Sequence, residues 1–279
     1  MPRFKLTVEY AGTRYSGWQI QKNGRTIQGE IDRAARTVSG RTDFELYGSG
    51  RTDAGVHAAG QVAHLDVSTT LAAESLRRRL NDELPADINI LSVEQVPHRF
   101  HARHDAVGRR YLYQIARRRT AFSKAFVWWV KEPIDVARMH AAARAFVGMK
   151  DFRSFAEADV KEEREAVRST MVLVERLDVV EQGALVLVAI EGSHFLWKMV
   201  RRIVGVLVEI GRGGLEATAA AEMMRDDSST PARLTAPPSG LFLERVYYRK
   251  DRRDERPVRA ITPIDSGPTA NAAAASTYR

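Results

Sequence analysis

The residues with the clearest chemical potential lie in a glycine- and alanine-rich run at positions 48–58, which contains one carboxylate, Asp53, two residues after Arg51. Glycine adopts backbone conformations closed to other residues and lets a ligand or a second backbone approach closely. An ionised carboxylate on such a loop is suited to act as a nucleophile or as a base. The alternative interpretation is a tight turn whose aspartate bonds its own backbone. The rest of the sequence must decide between the two.

Strand-like stretches at residues 44–47 and 61–67 flank this run, so we expect Asp53 on a loop between two strands. The elements between residues 4 and 96 follow the order β-α-β-β-α-β, and roughly the same order returns between residues 108 and 248. This order is typical of ferredoxin-like and RNA-recognition folds. The sequence therefore predicts an α+β protein of two such halves. We expect them to join into a mainly antiparallel central sheet, with helices on one face and a cleft on the other.

These elements divide the chain into three parts. Residues 1–104 are predicted to form an N-terminal α+β domain that carries the Asp53 loop, and residues 105–248 a C-terminal α+β domain. From residue 249 onward, charged residues alternate and then give way to proline, glycine and alanine. Such a composition buries too little apolar surface to offset the entropy of ordering. Residues 249–279 are therefore predicted to be a disordered tail.

Composition narrows the choice of partners. The 279 residues include no cysteine, which excludes disulfides, thiolate metal sites and a cysteine nucleophile. The formal net charge is +8 and the arginines occur in clusters, which favours a phosphate-rich partner such as nucleic acid. We recognise neither a signal peptide nor an apolar stretch of membrane-spanning length. A cytoplasmic protein without a membrane partner is therefore expected.

Three histidines recur at every third residue, His98, His101 and His104, and raise the question of a metal site. Arg99 and Arg103 lie between them. Their positive charge opposes a divalent cation, and no carboxylate accompanies the histidines within the run. We therefore expect no metal here.

Five segments together resemble the tRNA pseudouridine synthase A family. They are residues 48–58 around Asp53, residues 8–19, residues 100–113, residues 195–201 and residues 236–241. The resemblance runs in order from about Phe4 to Tyr248. It departs from the family at His104, where an aromatic residue is expected, and the tail has no counterpart.

The resemblance implies an isomerase, a tRNA pseudouridine synthase that converts uridine to pseudouridine at positions 38, 39 and 40 of the tRNA anticodon stem-loop. It also implies two RNA-recognition-like halves around a central cleft, a homodimer, and neither a metal nor an organic cofactor. This fold agrees with the order of elements deduced from the sequence pattern.

Roles for individual residues also follow from the resemblance. Asp53 matches the family's catalytic aspartate, and Arg201 is the expected ion-pair partner of its carboxylate. Tyr111 matches the substrate-binding tyrosine, on which a flipped base would stack. Leu241 is expected to close the apolar side of the pocket, and Arg51 to contact phosphate or the same carboxylate.

Three alternatives remain open. An RNA-binding module without chemistry would share this fold, although a carboxylate in its basic cleft would repel phosphate. A family member with a different target uridine fits the sequence as well. A carboxylate hydrolase would need a second acidic group, for which Asp151 and Glu191 are candidates. The residues also leave open whether Asp53 acts as nucleophile or base.

Overall fold

Four strands and two helices form the N-terminal half of the computed structural model, which describes residues 1–157, 169–253 and 257–265. In chain order they are β1 (Arg3–Tyr10), α1 (Ile27–Ser39), β2 (Glu45–Gly48), β3 (His57–Asp66), α2 (Ala73–Glu83) and β4 (Ile88–Val96). The strands pair antiparallel in the order β4-β1-β3-β2. This is the predicted β-α-β-β-α-β half.

Local sequence signals explain why α1 begins and ends where it does. The Thr26 side chain accepts a hydrogen bond from the backbone N–H of Gly29 at 3.2 Å, which satisfies one of the free donors of the first turn. Gly40 ends the helix in the left-handed conformation, with φ of +67°. Between these caps, Ile27 and Ile31 share one face and are fully buried.

The C-terminal half repeats this arrangement with additions. Its elements are β5 (Ala106–Ala116), β6 (Trp128–Trp129), α3 (Val136–Ala143), β7 (Gly148–Asp151), β8 (Met171–Gln182), β9 (Leu185–Gly192), α4 (Met199–Gly211), α5 (Ala219–Arg225), α6 (Thr230–Arg233) and β10 (Leu241–Tyr248). The strand order is β10-β5-β9-β8-β7, with β6 beside β5. Without β6 and β7, the order β10-β5-β9-β8 has the same connectivity as β4-β1-β3-β2.

The two halves join edge to edge into one ten-stranded sheet. The joint is a short parallel pairing in which Phe242 of β10 lies opposite His57 of β3, and Leu243 opposite Ala58. Because β3 begins at this joint, the loop that precedes it must lie where the two halves meet. The predicted α+β architecture and edge-to-edge sheet are confirmed.

Different parts of the chain cover the two faces of the C-terminal half. Alternate residues of a strand point to opposite faces, and Tyr113 of β5 packs in the main core with residues of α3 and α4. Leu112 packs in a smaller core on the other face. Tyr111 has the same parity as Tyr113 and therefore lies on the helix-covered face.

The predicted disordered tail differs from the structure over residues 257–265, a segment we call the C-terminal strap. Gln114, fully buried on β5, accepts hydrogen bonds from the backbone N–H groups of Ile261 and Thr262 at 2.8 and 3.2 Å. The carbonyl of Ile264 accepts from the N–H of Ala184 at 2.9 Å, and its side chain is buried in the smaller core.

The composition of the tail does not predict these contacts. A few apolar side chains are enough to order a segment when the sheet satisfies its backbone polar groups. Residues 254–256 and 266–279 of the predicted tail lie outside the described residues.

We expect Ile264→Ala to lower the free energy of unfolding by about 2 kcal/mol, since it removes a buried aliphatic side chain from the smaller core. Ile261→Ala is the matched control, because Ile261 lies on the same strap with 38% exposure against 6% for Ile264. Urea unfolding of both variants measures the difference. Equal, small losses would mean that the strap is not docked on the sheet in solution.

Candidate active site

The loop that carries Asp53 rests on residues 11–19, the segment that follows β1. The N–H of Trp18 donates to the carbonyl of Thr52 at 3.1 Å, and the N–H of Gly55 donates to the carbonyl of Tyr15 at 3.3 Å. A Cβ on Gly17 would lie 2.5 Å from the Thr52 carbonyl, and Gly17 has a φ of +90°. This close backbone approach explains why the two glycine-rich segments occur together.

His57 supports the same loop from the buried side. Its Nδ1 accepts the backbone N–H of Gly12 at 3.0 Å, so the proton is on Nε2, which donates to the carbonyl of Ala125 at 3.1 Å. Its ring stacks on Phe242 with centroids 4.8 Å apart. Burial lowers the pKa of His57 to about 4, so the ring is neutral near pH 7. Because it is fully buried, His57 supports the loop rather than contacting RNA.

The carboxylate of Asp53 is held by one side chain from the first turn of α4 and one from the connection just before it. Arg201 Nη1 donates to Oδ2 at 3.1 Å, and the indole Nε1 of Trp197 donates to Oδ1 at 3.0 Å. Arg201 is itself fixed by a 2.7 Å hydrogen bond from Nε to the carbonyl of Ala236. The Asp53 side chain keeps 24% of its surface exposed. The carboxylate is therefore oriented by protein donors and still reachable from solvent.

Helix α4 begins at Met199. Lys198, the residue before it, has a left-handed backbone, with φ of +59°. Trp197 therefore lies outside the helix and points its N–H at Asp53. Sequence analysis assigned Trp197 no role, although it lies in the segment 195–201 that resembles the family.

Tyr111 lies beside this pair on β5, half-buried. Its ring meets Phe195 edge to face, with centroids 5.1 Å apart. Burial raises the pKa of Tyr111 to about 12; Arg109 opposes this rise and the nearby charge of Asp53 adds to it. The phenol is therefore neutral near pH 7. By contrast, Tyr113 on the same face is fully buried and donates to the carbonyl of Pro237 at 2.7 Å.

Two predicted site residues remain to be located in the structure, Arg51 and Leu241. Arg51 is exposed on the Asp53 loop, and the ion pair to the carboxylate is made by Arg201. Leu241 is buried in the main core and lies opposite Tyr113 across the β5–β10 pairing.

Arg109 is a site residue that sequence analysis missed. Its guanidinium donates to the carbonyls of Ser49 and Ser193 at 3.0 and 3.1 Å, and burial lowers its pKa. It thus ties the Asp53 loop to the connection between β9 and α4. Local pattern could not reveal this, because the three residues are far apart in sequence.

The site lies on the sheet face that α4 covers, at the joint between the two halves. The opposite face of the C-terminal half carries the C-terminal strap. The Asp53 carboxylate is presented at this joint, with 24% of its side chain exposed.

One of the three histidines considered as metal ligands, and both candidates for a second carboxylate, make hydrogen bonds with other residues. His101 Nδ1 accepts the backbone N–H groups of Arg103 and His104, and no group of three or more metal-ligating side chains is present in the part of the chain that the structure describes. Asp151 accepts from Thr170 Oγ1 at 2.6 Å, and Glu191 accepts from Tyr247 at 3.2 Å. Among the described helices, none is long and apolar enough to cross a membrane.

The protein has two similar α+β halves, and an aspartate paired with an arginine lies at their joint. These are the features expected of the class of RNA-modifying enzymes that the sequence resembles. The family described as tRNA pseudouridine synthase matches residues 6–105 and 142–249. These two segments include Asp53 and Arg201. The chain belongs to the tRNA pseudouridine synthase family, whose members are isomerases.

Curated relatives named tRNA pseudouridine synthase A support the same assignment. The protein of Nitrobacter hamburgensis is 39% identical over 251 residues, which cover 89% of this chain and 100% of the relative. The protein of Citrifermentans bemidjiense is 38% identical over 253 residues, covering 90% and 99%. The protein of Bartonella henselae is 38% identical over 253 residues, covering 89% and 100%. A chain of a solved Cbf5–Nop10–Gar1 complex has a TM-score of 0.32 at 11% identity over 74% of this chain and 45% of its own, which is too low to define the fold.

Proposed function

We propose that this protein converts uridine to pseudouridine at positions 38, 39 and 40 of the anticodon stem-loop of tRNA, with Asp53 as the catalytic carboxylate. The observation that carries the proposal is the ion pair between Asp53 and Arg201 across the joint, with Tyr111 beside it. The names of the relatives supply the substrate, tRNA. The positions are those implied by the resemblance of the five sequence segments to the tRNA pseudouridine synthase A family.

The chemistry needs little more than a carboxylate. The bond from ribose C1′ to N1 of uracil breaks, the base turns, and a new bond joins C1′ to C5. The hydrogen on C5 leaves as a proton and N1 takes up a proton, so the reaction is redox-neutral and requires no electron acceptor. Asp53 serves as nucleophile or as base, and both roles need the ionised carboxylate. Arg201 donates a hydrogen bond to Oδ2 of this carboxylate and so helps to orient it.

A target uridine must leave its stack before a carboxylate can reach it, which costs a few kcal/mol. Stacking on an aromatic ring returns about 1–3 kcal/mol per base. Tyr111 is the proposed stacking surface, and Phe195 holds its ring edge to face. Leu241 backs the apolar side of the pocket from β10. Arg51, exposed two residues before Asp53 on the same loop, is proposed to contact a phosphate.

We extend the proposal to the domains, the oligomeric state and the cellular location of the protein. Residues 1–104 and 105–248 act as two domains around the shared site, and the protein works as a cytoplasmic homodimer on tRNA. The formal net charge of +8 suits a polyanionic partner. The domain boundaries follow the repeated element order, and the dimer follows the resemblance.

The test of the proposed function is tritium release from tRNA labelled at C5 of uridine. Bond formation at C5 expels that hydrogen, so release reports the isomerisation itself. We expect release from a tRNA with uridine at positions 38–40 and none from the same tRNA with cytidine there. Bound tRNA without release would leave an RNA-binding module. Release from the cytidine tRNA would point to a different target uridine.

Tyr111→Ala is expected to lower kcat/KM about 10- to 100-fold, because it removes a stacking surface worth about 1–3 kcal/mol. Tyr111→Phe keeps the ring and should stay within about threefold of the native protein. The control is Tyr47→Ala, which removes another half-buried tyrosine, one that packs on His64 rather than near Asp53. Normal kcat/KM in both Tyr111 variants would refute the stacking role.

A further inference from the structure

The two oxygens of the Asp53 carboxylate are held by different donors. Arg201 bonds Oδ2, and the indole N–H of Trp197 bonds Oδ1. A single hydrogen bond to Oδ2 would restrain the carboxylate at one oxygen only. The second bond, on the other oxygen, fixes the plane of the group. Each oxygen has two lone pairs, so each retains one for substrate.

The chain has an unusual backbone at the point that aims Trp197. Lys198 has a φ of +59° and is the only non-glycine residue with positive φ among the described residues. A residue with a Cβ adopts this conformation only where its surroundings enforce it. Here it is the last residue of the β9–α4 connection, between Trp197 and the start of α4 at Met199.

Glu157 holds this turn in place from three directions. Its backbone N–H donates to the carbonyl of Trp197 at 3.1 Å. Its carboxylate accepts Lys198 Nζ at 2.8 Å on one oxygen and Arg202 Nη2 at 2.9 Å on the other. The backbone at Trp197, from which the indole reaches Asp53, is thus held by contacts outside the turn.

We propose that Trp197 is a positioning residue: its indole N–H, together with Arg201, sets the plane of the Asp53 carboxylate for attack on the flipped nucleotide. This inference rests on the proposed function, in which Asp53 is the catalytic group. Indole is suited to the task because its N–H is only a donor. It therefore holds a carboxylate without competing for a proton during the reaction.

An alternative role for Trp197 is stacking, since the residue is 45% exposed. The two roles predict different kinetics. Trp197→Phe keeps an aromatic ring and loses the donor, so a positioning role predicts a fall in kcat of about tenfold with KM for tRNA unchanged. A stacking role predicts little change in Trp197→Phe and a raised KM in Trp197→Ala.

The matched control is Trp129→Phe. Trp129 is 43% exposed and lies under an arginine, Arg119, as Trp197 lies under Lys198. It makes no contact with Asp53 among the contacts of the described residues. We expect its kcat and KM to equal those of the native protein. If kcat fell tenfold in both phenylalanine variants, the effect would not be specific to Trp197, and the proposal would be overturned.

A second measurement tests the contact without relying on activity. The chain has four tryptophans, so indole ¹⁵N labelling gives four N–H resonances, and Trp197→Phe identifies the one that belongs to Trp197. In Asp53→Ala, that resonance is expected to shift more than the other three. An unshifted resonance would show that the indole does not bond Asp53.

Failure of this inference and failure of the proposed function give different results. If the native protein releases no tritium, the function is wrong, and the indole resonance alone decides whether Trp197 holds Asp53. If the native protein is active and Trp197→Phe retains its kcat, the function stands and the positioning role is wrong. A lowered kcat with unchanged KM and a shifted resonance supports both.

Discussion

Asp53→Asn is expected to reduce tritium release at least about a thousandfold while tRNA binding is retained. The amide has almost the same shape as the carboxylate but is neither a base nor a nucleophile at this pH. It also presents an N–H₂ group that cannot accept the hydrogen bond of Arg201. The kinetic loss should therefore appear in kcat, with thermal stability close to native.

The measurement compares single-turnover tritium release with filter binding of the same tRNA at one salt concentration, because affinity for nucleic acid depends on salt. Asp43→Asn is the control: Asp43 is exposed and pairs with Arg41 at 2.6 Å, away from the site. It changes the net charge equally and should leave kcat unchanged. Native turnover in Asp53→Asn would refute the catalytic role of Asp53.

Arg201→Met is expected to lower kcat about 30- to 100-fold, which corresponds to about 2–3 kcal/mol for a charge-assisted hydrogen bond at a partly exposed site. Methionine retains the apolar stem and loses both the bond to Asp53 Oδ2 and the bond to the Ala236 carbonyl. Arg201→Lys keeps the charge without the two-directional geometry, so an intermediate loss is expected.

The control for Arg201 lies at the other end of the same helix. Arg212 pairs with Glu209 and Glu132 at 3.0 and 3.3 Å, and 34% of its side chain is exposed. Arg212→Met removes the same charge and should leave kcat within about twofold, because exposed ion pairs contribute at most about 1 kcal/mol. If Arg201→Met behaved like Arg212→Met, the ion pair would have no part in the reaction.

The double variant Asp53→Asn with Arg201→Met tests whether the two residues act as one unit. If Arg201 acts only through the carboxylate, its removal should cost little once Asp53 is already neutral. A full additional loss would instead give Arg201 a separate role with the substrate.

The structure bears on each of the three alternative functions that the sequence left open. The hydrolase lacks support from its proposed second carboxylates, because Asp151 bonds Arg153 and Thr170 and Glu191 bonds Tyr247. An RNA-binding module without chemistry has no need of a carboxylate that two donors orient, so this geometry argues against that alternative. A synthase with another target uridine fits the same geometry, and site mapping of the tritiated tRNA separates it from the proposed one.

Signals within a few residues of each other determined much of this protein. Alternating apolar residues placed β1, Thr26 and Gly40 bounded α1, and the run at residues 48–58 placed Asp53 on a loop before β3. Repetition of the element order was enough to predict two joined halves. These features depend on local periodicity, capping and turn chemistry, which a short stretch of chain contains in full.

Only the tertiary structure decided what surrounds Asp53. Trp197 lies 144 residues away in sequence and reaches the carboxylate only because Lys198 breaks the helical pattern. Gln114 orders the strap from a buried position on β5, and composition carries no trace of that bond. Such contacts depend on which strands become neighbours and on where a helix begins. These are properties of the packed chain, in which small differences between large opposing free energies select one arrangement.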